Sequence, residues 1–89
     1  MNKYEQKPEF ILDLHGLTVK EAKVILESLI AKREYDHIRM ITGKGLYRDS
    51  GPVLRTFVEN FLQDREIQFS RAKLYNGGEG ALEVFLSIK

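Results

Sequence analysis

The sequence predicts an α+β two-layer sandwich, an α/β chain of element order β-α-β-α-β-β in which a four-stranded mixed sheet of order 1-2-4-3 carries both helices on one face. Three observations lead there. Two segments place apolar residues at helical spacing, four shorter ones alternate apolar with polar residues, and a glycine-rich turn joins the last two alternating segments.

Phe10, Leu12 and Leu14 alternate with Ile11, Asp13 and His15, a strand period that Gly16 stops. Thr18 followed three residues later by Glu21 forms a capping box, Leu17 and Ala22 make the accompanying staple, and positions 22, 25, 26, 29 and 30 trace one apolar stripe. The first helix is therefore expected over residues 19–33. Ile38 and Met40 alternate with Arg39 and Ile41 as a short second strand, which runs into the glycine-rich loop beginning at Thr42. Pro52 suits a first helical position, where its missing N–H costs nothing. Leu54, Phe57, Val58, Phe61 and Leu62 then repeat the stripe, so the second helix is expected over residues 52–65. Residues 69–75 and 81–88 alternate around Asn76, Gly77, Gly78, Glu79 and Gly80, a terminal hairpin.

Right-handed crossovers through two helices on one face require the first three strands to step in one direction, and inserting the last strand between the second and third gives the order 1-2-4-3. The helices then cover Phe10, Leu12, Leu14, Ile38, Met40, Leu82, Val84 and Leu86. Asp13, His15, Arg39, Arg71, Lys73 and Tyr75 are left on the open face.

With 89 residues the chain builds one core, expected over residues 10–89, preceded by a flexible N-terminal leader over residues 1–9 that is polar and contains Pro8. No apolar run is long enough to span a membrane, and the start is too polar for a secretory signal, so a cytoplasmic protein is expected. The absence of cysteine excludes disulfides, thiol nucleophiles and cysteine zinc sites, and two histidines are too few for a closed structural metal centre. Fourteen basic residues against thirteen acidic ones announce no nucleic-acid partner by net charge, so the local distribution has to carry any such claim.

The chemistry-bearing residues gather where the carboxyl ends of the parallel strands meet three glycine-bearing loops. Asp13 and His15, two apart on a strand, emerge on the same face, where a carboxylate orients an imidazole for acid–base work. An Asp-x-His is also found where the histidine only hydrogen-bonds a loop. His37 begins strand two at the far end, roughly 17 Å away, and is a poor partner for His15. Thr42, Gly43, Lys44 and Gly45 offer backbone N–H groups and an ammonium to a phosphate, without the spacing of a Walker loop; glycines that merely permit a tight turn are the other reading. Between residues 37 and 55, Arg39, Lys44, Arg48 and Arg55 are opposed by Asp49 alone. Phosphate contacts from such a run give salt-sensitive affinity, and Tyr47 and Tyr75 suit stacking on unpaired bases, while Glu79 and Glu83 repel phosphate nearby.

Leu12 to Gly16 (L-D-L-H-G), Thr42 to Gly45 (T-G-K-G) and Gly77 to Ala81 (G-G-E-G-A), in that order, resemble the three motifs of the small MutS-related (Smr) domain, and the resemblance covers about residues 10–89. It implies a fold similar to the C-terminal domain of translation initiation factor three, and nucleic-acid binding. Several Smr domains are nicking or RNA-cleaving endonucleases that use the D-L-H strand motif and the glycine loop, and others are chiefly binding modules. Carried over by position, the resemblance points to Asp13, His15 and Lys44 as catalytic. Its glycine motifs point to Thr42, Gly43, Lys44, Gly45, Gly77 and Gly78 as nucleic-acid-binding, and the basic run read above adds Tyr47, Arg48 and Arg55 to that set. Threonine at 42 is one of two family alternatives, the other being histidine.

The expectation is thus an endonuclease acting on phosphodiester bonds of DNA or RNA. The alternatives are a non-catalytic module that recognises backbone or branched structure, in DNA repair and recombination or in ribosome-associated quality control, and a protein-docking domain. No resident metal site is expected, although a DNA reaction calls for a divalent cation, Mg²⁺ or Mn²⁺, to activate water. A monomer is expected, with the edges of strands one and three free. Because the family's domains usually terminate a longer chain, a separate protein is expected to supply targeting.

Overall fold

The computed structural model describes residues 7–43, 53–72 and 80–86. Its elements run β1 (Phe10–Asp13), α1 (Val19–Lys32), β2 (His37–Ile41), α2 (Val53–Asp64), β3 (Gln68–Arg71) and β4 (Ala81–Phe85). The sheet order is β1-β2-β4-β3, with β1 parallel to β2 and β4 antiparallel to both its neighbours. This is the predicted topology. The strands are shorter than the alternation suggests: β3 stops at Arg71, and Leu86 leaves β4 to donate its N–H to the Asp36 carbonyl at 2.8 Å.

Register explains the layering, because directly paired residues share a face. Phe10, Ile38, Val84 and Phe69 form one row, and Leu12, Met40, Leu82 and Arg71 the next. Against these rows pack Ala22 and Leu26 of α1 and Val58, Phe61 and Leu62 of α2, all in one buried cluster with Leu14 and Leu86, so both helices cover the same face. Ile25, at the margin of the α1 stripe, is 37% exposed.

Local signals set the helix ends. Thr18 caps α1 reciprocally with Glu21: its hydroxyl accepts the Glu21 N–H at 3.1 Å and its own N–H donates to the Glu21 carboxylate at 2.9 Å. Those bonds hold the Glu21 carboxyl below the ordinary glutamate value. At the other end Arg33 closes the helix with φ 49°, its N–H donating to the Leu29 carbonyl and its guanidinium reaching the Leu86 carbonyl at 3.4 Å. The start of α2 at Pro52 lies outside the described residues.

Arg71 corrects the predicted open face. It shares its face with Phe69, two residues earlier, and so points toward the helical layer, where its Nε lies 3.7 Å from a carboxylate oxygen of Glu59 on α2. Because β3 is an edge strand, the long side chain escapes to water at the sheet margin instead of being buried. Lys73 and Tyr75 fall outside the described residues. Glu9 is tied to the first residues of β2: its N–H donates to the His37 carbonyl, and its carboxylate accepts from the N–H groups of Asp36 and His37.

Candidate functional site

Leu14 continues β1 by donating its N–H to the Ile41 carbonyl at 2.7 Å, and its side chain is buried. That sends Asp13 and His15, on either side of it, to the opposite face. The chain then turns through Gly16, whose φ of 83° favours glycine although a Cβ there would meet nothing within 4 Å. A bond from the Leu17 N–H to the Leu14 carbonyl closes the turn just ahead of the α1 cap.

Within this turn Asp13 Oδ1 accepts the His15 backbone N–H at 3.1 Å and lies 2.5 Å from His15 Nδ1. The two bonds from His15, the side-chain one first, hold the Asp13 carboxyl below its ordinary value. The His15 side chain is 66% exposed and that of Asp13 51%. With Nδ1 engaged by the carboxylate, Nε2 is the ring nitrogen presented to a substrate. The predicted dyad is therefore assembled and open to solvent.

The glycine loop approaches the dyad from β2. A Cβ built on Gly43, whose φ is 80°, would stand 3.4 Å from the Cβ of His15, so the two residues are close neighbours. The amides at this point differ from the sequence reading. Thr42 N–H and Gly43 N–H both donate to the carbonyl of Gly80, at 2.8 and 3.0 Å, and are not turned outward for a phosphate. Thr42 is buried, its hydroxyl directed between the carbonyls of Gly43 and Gly80. The reason is topological: β2 and β4 are neighbours, and the end of one meets the start of the other. Lys44, Gly45, Tyr47 and Arg48 of this loop, and Gly77 and Gly78 of the turn before β4, lie outside the described residues. Arg55 sits in the first turn of α2, partly buried and engaged with a partner.

The sequence reading missed a second polar cluster. Glu83, only 1% exposed, is clasped by His37 Nε2 at 2.6 Å and by Arg39 Nε at 2.8 Å, and the His37 ring stacks on Phe85 with centroids 4.7 Å apart. Glu83 therefore does not stand as a free negative charge near the loop, and Arg39 is withdrawn from the basic run that the sequence suggested. The available signal was the cross-strand register: once β2 lies beside β4, Arg39 is directly opposite Glu83. Among the described residues no group of three His, Cys, Asp or Glu side chains is arranged to hold a metal ion, and no helix is long and apolar enough to cross a membrane.

Comparison with known proteins places these features. The family model for the Smr domain matches residues 12–87. An uncharacterised protein of Treponema pallidum is 37% identical over 59 residues, covering 63% of this chain and 29% of the relative. A ribosome rescue factor, SmrB, of Pasteurella multocida is 46% identical over 43 residues, covering 45% of this chain and 26% of that protein. The chain thus spans less than a third of the length of either curated relative. The crystal structure of the Smr domain of Thermus thermophilus MutS2 superposes with a TM-score of 0.71 at 26% identity, covering 84% of this chain and 94% of that one. With its sheet order, its L-D-L-H-G turn and a family match over most of its length, the chain belongs to the Smr domain family.

Proposed function

We propose that the chain binds nucleic acid and cleaves its phosphodiester bonds, with His15 as the acid–base group. The observation that carries this reading is the contact of 2.5 Å between His15 Nδ1 and Asp13 Oδ1 on an exposed strand end. Asp13 fixes the ring through Nδ1, and Nε2 takes a proton from the nucleophile. On RNA the nucleophile is the adjacent 2′-hydroxyl. Its oxygen bonds to phosphorus, the bond from phosphorus to the 5′-oxygen breaks, a 2′,3′-cyclic phosphate remains, and the departing oxygen takes a proton from water. DNA lacks that hydroxyl, so His15 would act on water. Asp13 is the carboxylate at this point that would help hold a Mg²⁺ or Mn²⁺ ion, which would supply an activated water. Lys44, with Arg48 and Arg55, is assigned to phosphate charge, and Tyr47 to base stacking. The partial likeness to a ribosome rescue factor favours RNA as the substrate.

A specific observation supports a second reading, a binding module without catalysis. The Thr42 and Gly43 amides are occupied by Gly80, which removes two donors that a phosphoryl transition state would use.

Labelled structured RNA and supercoiled DNA, incubated with magnesium and with chelator, separate the two. The nuclease reading expects cleavage by the wild type and a loss of about two to four orders of magnitude in His15→Ala. Equal cleavage by wild type, Asp13→Asn and His15→Ala would overturn it.

A further inference from the structure

We infer that Gly43 is a positioning residue for His15, anchored from across the sheet by the carbonyl of Gly80, and that the amides of residues 42 and 43 take no part in holding phosphate. The inference rests on the acid–base role proposed for His15 and assigns the glycine loop beside it a different task from the phosphate cradle that its composition suggests.

Three observations converge. One carbonyl, that of Gly80, accepts both the Thr42 and the Gly43 N–H, at 2.8 and 3.0 Å. Both distances are those of full-strength bonds, and a backbone N–H has one hydrogen to give. Thr42 is 6% exposed, and its hydroxyl lies 3.4 Å from the same carbonyl and 3.3 Å from that of Gly43, so the turn is closed from its side-chain face as well. Drawn inward in this way, Gly43 lies beside the root of the His15 side chain: a Cβ added there would meet His15 Cβ at 3.4 Å, in van der Waals contact. Residue 43 therefore flanks the root of the His15 side chain, and Asp13 Oδ1 fixes the ring through Nδ1. A side chain flanked at its root and bonded through one ring nitrogen presents Nε2 in one direction, which is what in-line attack requires of a base.

This division of labour has a distinct signature. If Gly43 positions His15, a side chain at 43 should disturb the imidazole and the chemical step while leaving affinity alone. If its amide holds phosphate, the damage should fall on affinity. Gly43→Ala adds the Cβ but also strains a φ of 80°. Gly43→Asn adds the same Cβ with a residue that tolerates left-handed backbone, and so separates the contact from the strain.

The experiment uses the whole 89-residue chain with a single-stranded RNA oligonucleotide as probe. Amide hydrogen exchange should show Thr42 and Gly43 protected, and unchanged within twofold when the oligonucleotide saturates the protein. In both Gly43 variants the His15 ring resonances should move and kcat should fall at least tenfold, with oligonucleotide Kd and KM within about twofold of wild type. Unprotected amides at 42 and 43, amides whose exchange slows on oligonucleotide binding, or weakened Kd with unmoved His15 resonances would each overturn the inference. If the wild type cleaves neither RNA nor DNA, the nuclease reading fails, and the amide exchange and His15 resonances still decide whether Gly43 positions the ring.

Discussion

Arg39 and Glu83 stand directly opposite each other on β2 and β4, and Arg39 Nε donates to Glu83 Oε2 at 2.8 Å on the sheet face that carries no helix. The carboxylate is almost fully buried, and His37 supplies its second partner. Removing one member of such a group strands the others. Glu83→Ala is expected to destabilise the fold by about 3 kcal/mol, lowering Tm by roughly 10–20 °C for a domain of this size. Replacing His37, Arg39 and Glu83 together by apolar residues of similar volume should recover most of that loss, since the desolvation cost disappears with the charges. Urea and thermal melts followed by circular dichroism measure both. A Glu83→Ala loss below about 1 kcal/mol would show that the ion pairs contribute little net stability.

The dyad makes a prediction about pH. Hydrogen bonds from His15 favour the ionised Asp13 carboxyl, so its pKa in the folded protein lies below the ordinary aspartate value of 3.8. A depressed carboxylate pKa stabilises the fold above the unfolded value, and the contribution is lost as pH falls through the lower folded value. Carbon-13 titration of the Asp13 carboxyl should therefore give a midpoint below 3.8, and His15→Ala should move it up toward that value. An unchanged midpoint in the variant would mean that the contact is not formed in solution.

Much of this was readable in advance because it is local. The helical stripes, the Thr18 capping box and the Asp13–His15 spacing each depend on residues within a turn or a strand of one another. What was not readable depends on residues far apart. The Gly80 carbonyl that captures the Thr42 and Gly43 amides comes from the start of another strand, and Glu83 lies 44 residues from Arg39. Composition shows that a loop is rich in donors, but only the neighbouring strand shows that two of them are already engaged. Arg71 is a smaller case of the same kind. Alternation ties it to Phe69, and the core position of Phe69 decides which face both occupy.

The turn after α2 offers a stabilising change. Glu66 adopts φ 57° without being glycine, and the Ile67 N–H behind it donates to the Leu62 carbonyl at 2.9 Å, closing the helix. A left-handed residue at this position is normally glycine. Relief of that conformation in Glu66→Gly should outweigh the entropy that glycine adds to the unfolded chain, for a net gain of about 0.5–1 kcal/mol. A rise of a few degrees in Tm checks it, and a fall would mean that the Glu66 side chain contributes more than its backbone costs.

Affinity for nucleic acid should depend on salt through the cations proposed to meet phosphate. Arg39 is committed to Glu83, whereas Lys44, Arg48 and Arg55 are the cations proposed to meet phosphate. Each phosphate contact releases counterions, so removing one should reduce the slope of log K against log salt by about 0.7 on a single strand. Lys44→Ala and Arg48→Ala are accordingly expected to weaken oligonucleotide binding and flatten its salt dependence, and to do so for unrelated sequences alike. Arg39→Ala should lower stability without altering that slope. Fluorescence anisotropy at several salt concentrations gives the slopes, and a flattened slope in Arg39→Ala would place its guanidinium on the substrate instead of on Glu83.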